Sequence, residues 1–243
     1  MKRLVTVSAL LALLMANACS KRASTAPERQ AKAFGAAVAV ISGDKQMAGV
    51  GSQLEQPLVV QINDAKGTAV SGALVRFSGP AGMAFTPDHA LSGSDGQVST
   101  TVTLGSVHGR YQIKASTRDQ SGKSNGIGID EVALGYQETL GRMLSETHCV
   151  RCHENESTAE RVSNHDNLSA APHSLSDGSV VNKMTDANLA AIIGHGGTAL
   201  GKSPEMPPYA GTLNKAEIDA LIALIRAIAD PPYRPQGVLY AVD

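Results

Sequence analysis

Short runs in which every second residue is apolar fill residues 34–130. Val98, Thr100, Val102 and Leu104 share one face of such a run, and Tyr111, Ile113 and Ala115 share one face of another. This period of two is the mark of a half-buried strand. Similar runs lie at 36–41, 57–62, 73–77 and 126–129, with turn-forming residues between them at 63–67, 78–80, 95–96 and 108–109. The pattern predicts about seven short strands folded as a β-sandwich.

From residue 131 the spacing becomes helical. Tyr136, Leu140, Met143, Leu144 and Thr147 fall on one face, which predicts a first amphipathic helix burying that stripe, with Met143 in the core. Residues 154–182 are polar, interrupted by Pro172 and Gly178, and read as a long loop. A short helix is expected over 185–193, stopped at Gly194. The clearest helix follows Asn214, which stands three residues before Glu217 as in a capping box. Its apolar stripe is Ile218, Leu221, Ile222, Ile225 and Ile228, and Pro231 and Pro232 end it. The division expected is therefore multidomain: an all-β sandwich at 34–130, an all-α domain at 131–232 and a tail at 233–243.

The first residues have another purpose. Lys2 and Arg3 precede an apolar run at 4–15 that is short for a membrane span and ends in Ala16-Asn17-Ala18-Cys19, so residues 1–18 read as a secretory signal. Small residues directly before a cysteine resemble the bacterial lipoprotein cleavage box, which implies lipidation at Cys19. Ordinary signal cleavage, leaving a free thiol, is the alternative. Residues 19–33 are small and polar, as suits a tether. The expectation is a protein exported and lipid-anchored in a bacterial cell envelope, in the periplasm, at the outer membrane or on the cell surface.

Charge divides along the same line. Residues 131–243 carry 8 Lys and Arg against 14 Asp and Glu, whereas residues 19–130 carry 11 against 8. An acidic C-terminal half without a basic stripe argues against nucleic acid and suits a partner of positive potential. The sequence has no Trp and only 3% aromatic residues, so its interior is aliphatic unless something else fills it.

A candidate for that filling is Cys149-Val150-Arg151-Cys152-His153, the only CxxCH in the chain. Two thiols on one helical turn can both reach the vinyl groups of a haem, and the adjoining imidazole can ligate its iron. A zinc site would want a second ligand pair and a thioredoxin-like motif a βαβ setting; neither context is present. Downstream, Met206 is followed by Pro207 and Pro208, whereas Met184, His165, His173 and His195 are also able to ligate but lack that rigid pair. His148 is expected at the haem edge.

Two resemblances follow. Residues 56–64, Gly67, 70–77 and 94–98 resemble bacterial immunoglobulin-like domains of the invasin and intimin type, which implies a spacer or docking module over about 35–130. His89 and His108 in that stretch are expected at the surface, and Met47 and Met83 in packing. The order CxxCH, loop, short helix, Met-Pro-Pro and terminal helix resembles the class I cytochrome c domain across roughly 132–230. That resemblance implies one covalent haem c on Cys149 and Cys152, with His153 as proximal and Met206 as distal ligand. The distal alternatives are His195 and Met184. Gly141 stands where the family often has glycine, but Ser145 and Leu224 occupy positions where aromatic residues often meet, so a different packing of first and last helices is expected.

The function expected is electron transfer by a membrane-anchored mono-haem cytochrome, without catalysis, serving redox partner proteins or a larger membrane complex. The alternatives are a peroxidase-like haem enzyme, which needs a releasable sixth position, and an adhesion module with a redox-sensing haem domain.

Overall fold

The computed structural model describes residues 33–235 except 155, 156 and 160. The leader, Cys19, nearly all of the tether and the tail beyond residue 235 lie outside the described residues.

Among the described residues, nine strands precede five helices. The strands are β1 (Ala37–Ser42), β2 (Met47–Gly49), β3 (Leu58–Asn63), β4 (Leu74–Ser78), β5 (Ala84–Thr86), β6 (His89–Leu91), β7 (Gln97–Thr103), β8 (Gly109–Arg118) and β9 (Ser124–Leu134). They form two sheets, ordered β1-β3-β7-β5 and β2-β9-β8-β4-β6. Alternation decides which side chains go inward: Leu58, Val60 and Ile62 of β3 are fully buried, and the residues between them are not. Both sheets feed one aliphatic core, where Val60, Ile62 and Val102 join Val75, Ile113 and Ile129. β2, β5 and β6, three residues each, were not expected. His108 is exposed as expected, and Met47 and Met83 pack against apolar clusters.

β9 runs four residues past the expected boundary at 130/131. Its ladder with β8 continues to Ala133, and β2 pairs with its end in parallel, Met47 opposite Val132 and Gly49 opposite Leu134. Strand gives way to helix only at Gly135. Ile129 and Ala133 point into the β core, while Val132 and Leu134 on the opposite face pack against Leu224 of the last helix.

The helices are α1 (Tyr136–His148), α2 (Val150–His153), α3 (Gly178–Val181), α4 (Asp186–His195) and α5 (Lys215–Ile228). Asn214 and Glu217 form the capping box the sequence predicts, and the Thr185 side chain caps α4, which runs on to Gly196 rather than stopping at Gly194. Among its described residues, the long loop at 154–182 holds only a 3-10 turn at His165–Asn167 and the one-turn α3. Among the described residues no helix is long and apolar enough to cross a membrane.

The face that α1 buries corrects the sequence expectation. Tyr136 is 90% exposed and Met143 61%, so these two members of the stripe point outward, while Leu140 and Leu144 are half-buried and Leu144 packs against the helical core. The buried residues are Gly141 and Ser145. A Cβ on Gly141 would run into the Ala220 carbonyl of α5, so the two helices touch through a small-residue seam that a stripe of large side chains could not enter. The departure at Ser145 and Leu224 is thus real: both are buried, at 4% and 2% exposure, with no aromatic pair between them.

Polar contacts tie the two halves together around β9. Lys45 pairs with Asp230 at 2.8 Å, Arg142 donates to the Met47 carbonyl at 2.9 Å, and Arg110 donates to the carbonyl of Ala229.

Candidate haem site

α1 ends where the Cys149 N–H reaches the Ser145 carbonyl, and the chain turns at once into α2, whose Cys152 and His153 N–H groups bond back to the Cys149 carbonyl at 3.0 Å. That turn puts Cys149, Cys152 and His153 on the wall of a cavity of about 330 Å³. Leu175, Val181, Leu189, Ile193, Leu221 and Ile225 are among its apolar lining. α5 reaches it through Leu221 and Ile225 of the stripe that the helical spacing predicts, and α4 through Leu189, Ile192 and Ile193.

The His153 ring is held through one nitrogen. Its Nδ1 lies 2.7 Å from the His173 carbonyl oxygen, to which it can only donate. Burial holds its pKa below the ordinary imidazole value, so the ring is neutral with the Nε2 lone pair free. Burial pushes the Cys149 thiol up to about 11, which keeps it in the thiol form at neutral pH.

Met206 and Met184 both line the cavity, but they are held differently. Around Met206 the backbone is tied to the end of α4: its carbonyl accepts the Gly197 N–H at 3.1 Å, and Tyr209 and Ala210 donate to Ile193 and Gly194. Gly196, at φ +83°, makes this possible, because a Cβ there would press on the Met206 carbonyl. The Tyr209 hydroxyl donates to the His148 carbonyl at 2.8 Å, fastening the Met-Pro-Pro loop to the end of α1. The Met184 turn instead hangs on Arg226, whose largely buried guanidinium donates to the carbonyls of Val181 and Met184 at 2.8 and 2.6 Å and pairs with Asp186. Tyr233 covers that guanidinium at 3.9 Å. His195 is exposed and, like His165, does not line the cavity; His173 and His148 do.

Sequence reasoning did not single out the His173 carbonyl, Arg226, Glu205 or Tyr209. Tyr209 and Glu205 had a signal, since they flank Met206-Pro207-Pro208. The His173 carbonyl had none, because a backbone acceptor leaves no mark on residue type.

Residues 137–225 match the sequence family described as cytochrome C oxidase, cbb3-type, subunit III. This segment is a cytochrome c domain. It implies covalently bound haem c. The residues present fit such a group: a mainly apolar cavity carries two thiols on one turn, a neutral imidazole held through one nitrogen, and a thioether sulfur within its lining. A cytochrome c domain supports electron transfer.

Solved structures similar to parts of the chain include the D00-D0 domain of intimin, at 11% identity and TM-score 0.31 over 44% of this chain and 50% of that one. A family 2 glycosyl hydrolase from Bacteroides cellulosilyticus matches at 14% identity and TM-score 0.31, over 39% of this chain and 14% of that one. The Escherichia coli adhesin FdeC matches at 19% identity and TM-score 0.26, over 38% and 29%. The chain thus spans half or less of each of these structures. No match to a curated protein was found.

Proposed function

We propose that this protein is a membrane-anchored, mono-haem c-type cytochrome that passes electrons between protein partners. Cys149 and Cys152 carry the thioether bonds, His153 is the proximal ligand and Met206 the distal one. The observation that carries this reading is the meeting of all four side chains on one apolar cavity. Two axial ligands leave iron without a site for substrate, and a soft, neutral thioether favours ferrous iron and a raised potential. Cys19 is the lipidated N-terminus, and residues 34–134 form an immunoglobulin-like spacer or docking unit between membrane and haem. The partners are redox proteins within a larger membrane assembly, a reading supported by the match to a family described as a subunit of a cytochrome c oxidase.

Met184 is the second reading for the distal ligand, because it lines the same cavity. Met206 is preferred because Pro207 and Pro208, the Tyr209 hydroxyl and the α4 contacts fix its loop. The visible spectrum of the oxidised holoprotein tests both. We expect a low-spin spectrum with the weak far-red band of a methionine–ferric bond, lost in Met206→Ala and kept in Met184→Ala. A high-spin spectrum that takes up peroxide would overturn the electron-carrier reading.

A further inference from the structure

Two loops that line the cavity are joined by one carboxylate. Ala170, Ala171 and Pro172 contribute from one loop, and Ser203, Glu205 and Met206 from the other. Glu205 accepts from the Ser169 hydroxyl at 2.6 Å and from the Ser169 N–H at 3.0 and 3.2 Å. Ser203 adds a weaker contact at 3.4 Å, and its own hydroxyl accepts the Glu205 N–H at 3.2 Å. Among the described residues, every hydrogen bond between these two loops runs through Glu205.

Each end of this clasp leads to an axial position. Glu205 is bonded directly to Met206. Ser169 lies four residues before His173, whose carbonyl accepts the His153 ring N–H. The clasp therefore joins the segment that aims the proximal imidazole to the segment that carries the distal sulfur. Tyr209 fastens the same distal loop on its other side, to the His148 carbonyl, so Met206 sits between two attachments. The Met184 turn has neither.

We propose that Glu205 is a positioning residue whose clasp on Ser169 keeps the Met206 loop closed over the haem and so sets how often the distal sulfur leaves the iron. This rests on the reading of Met206 as distal ligand. The physical link is a population. An external ligand that must displace Met206 binds only to the fraction of molecules with the loop open, so its apparent dissociation constant is the intrinsic one divided by that fraction. Hydrogen bonds to a carboxylate are among the stronger ones, although exposure weakens them.

The test is imidazole binding to the oxidised, full-length holoprotein, followed by loss of the far-red methionine–iron band. We expect Glu205→Ala to lower the apparent Kd for imidazole about tenfold and Ser169→Ala, which keeps the backbone donor, about threefold. The double variant is expected to go no further than Glu205→Ala alone, since both changes break one clasp. Circular dichroism of each variant monitors the fold, and Ser169→Ala, a loss of one hydroxyl at the surface, provides the reading if Glu205→Ala is impaired. Unchanged imidazole affinity in both single variants overturns the proposal. Met206→Ala separates the two layers: if the far-red band survives in it, the ligand assignment fails whatever Glu205 does. If the band is lost while the clasp variants bind imidazole like the parent, only the clasp fails.

Discussion

Glu131 is a carboxyl group in the interior of an aliphatic sheet pair. It occupies the inward position of β9 between Ile129 and Ala133, is 0% exposed, and accepts the Gln46 N–H at 2.7 Å through one oxygen. The other oxygen has no hydrogen-bond partner. Burial pushes its pKa from 4.5 up to about 8, with Asp44 and Asp130 adding to the rise and the Gln46 N–H opposing it. Its cross-strand neighbour on β8 is Tyr111, whose hydroxyl is occupied by the Val107 carbonyl. Between those two pKa values the folded chain keeps a proton that the unfolded chain has released. The contribution of this group to stability is therefore complete below about pH 4.5, falls as pH rises, and is gone above about pH 8, with a slope of at most about 1.4 kcal/mol per pH unit. Glu131→Gln should flatten that slope. Urea midpoints of parent and variant at pH 5, 7 and 9 check it; parallel pH profiles would show that Glu131 does not titrate in this window.

The same residue shows what a sequence hides. Extending the period of two beyond Ile127 and Ile129 puts position 131 on the buried face, but an acidic side chain there reads as the start of a solvated helix, which ends the expected run at 129. The grouping of Cys149, Cys152, His153 and Met206 on one cavity was legible because the haem bonding proposed for them would demand particular atoms at particular spacings. The shell that aims them was not, because it consists of a backbone carbonyl at His173 and of polar side chains brought together from 36 and 61 positions apart.

At the scale of elements, α1 shows when amphipathic spacing misleads. The Tyr136 and Met143 stripe has the right period but the wrong bulk for its neighbour. At Gly141 α5 comes so close that a Cβ would meet the Ala220 carbonyl, and close approach of backbones outweighs the burial of two larger side chains. Gly141→Ala tests this balance. Alanine favours an isolated helix by about 1 kcal/mol, so simple propensity predicts a gain. The clash with the Ala220 carbonyl predicts a net loss of about 1–2 kcal/mol instead, read as a lower thermal midpoint of the holoprotein. The capping box at Asn214 and Glu217 was legible because all its partners lie within one turn. β2, β5 and β6 were not, since three residues form a strand only where a distant strand is already waiting.

At the scale of the molecule, the last four residues of β9 are buried on both faces, and neither half ends where the sequence texture changes. A fragment of residues 33–130 loses the last four positions of β9, three of them apolar and buried, whereas a fragment of 33–135 retains the full ladder with β8. The longer fragment is expected to melt cooperatively and the shorter to lack a defined transition in circular dichroism. A cooperative melt for both at the same temperature would show that the end of β9 contributes little. The broad division into a strand-rich half and a helical half was legible from the change of period. The joint between them was not, because Val132, Leu134 and Leu224 meet across 90 residues of chain.

A strand shared by two cores also governs how the molecule moves in solution. With strand joined to helix at Gly135 and Val132 and Leu134 packed on Leu224, the helical domain is expected to tumble together with the strand-rich half. Amide relaxation in the two halves should then report a single rotational correlation time. A redox partner would meet the haem edge at a fixed angle to the rest of the particle, trading a slower angular search for a constant direction of approach.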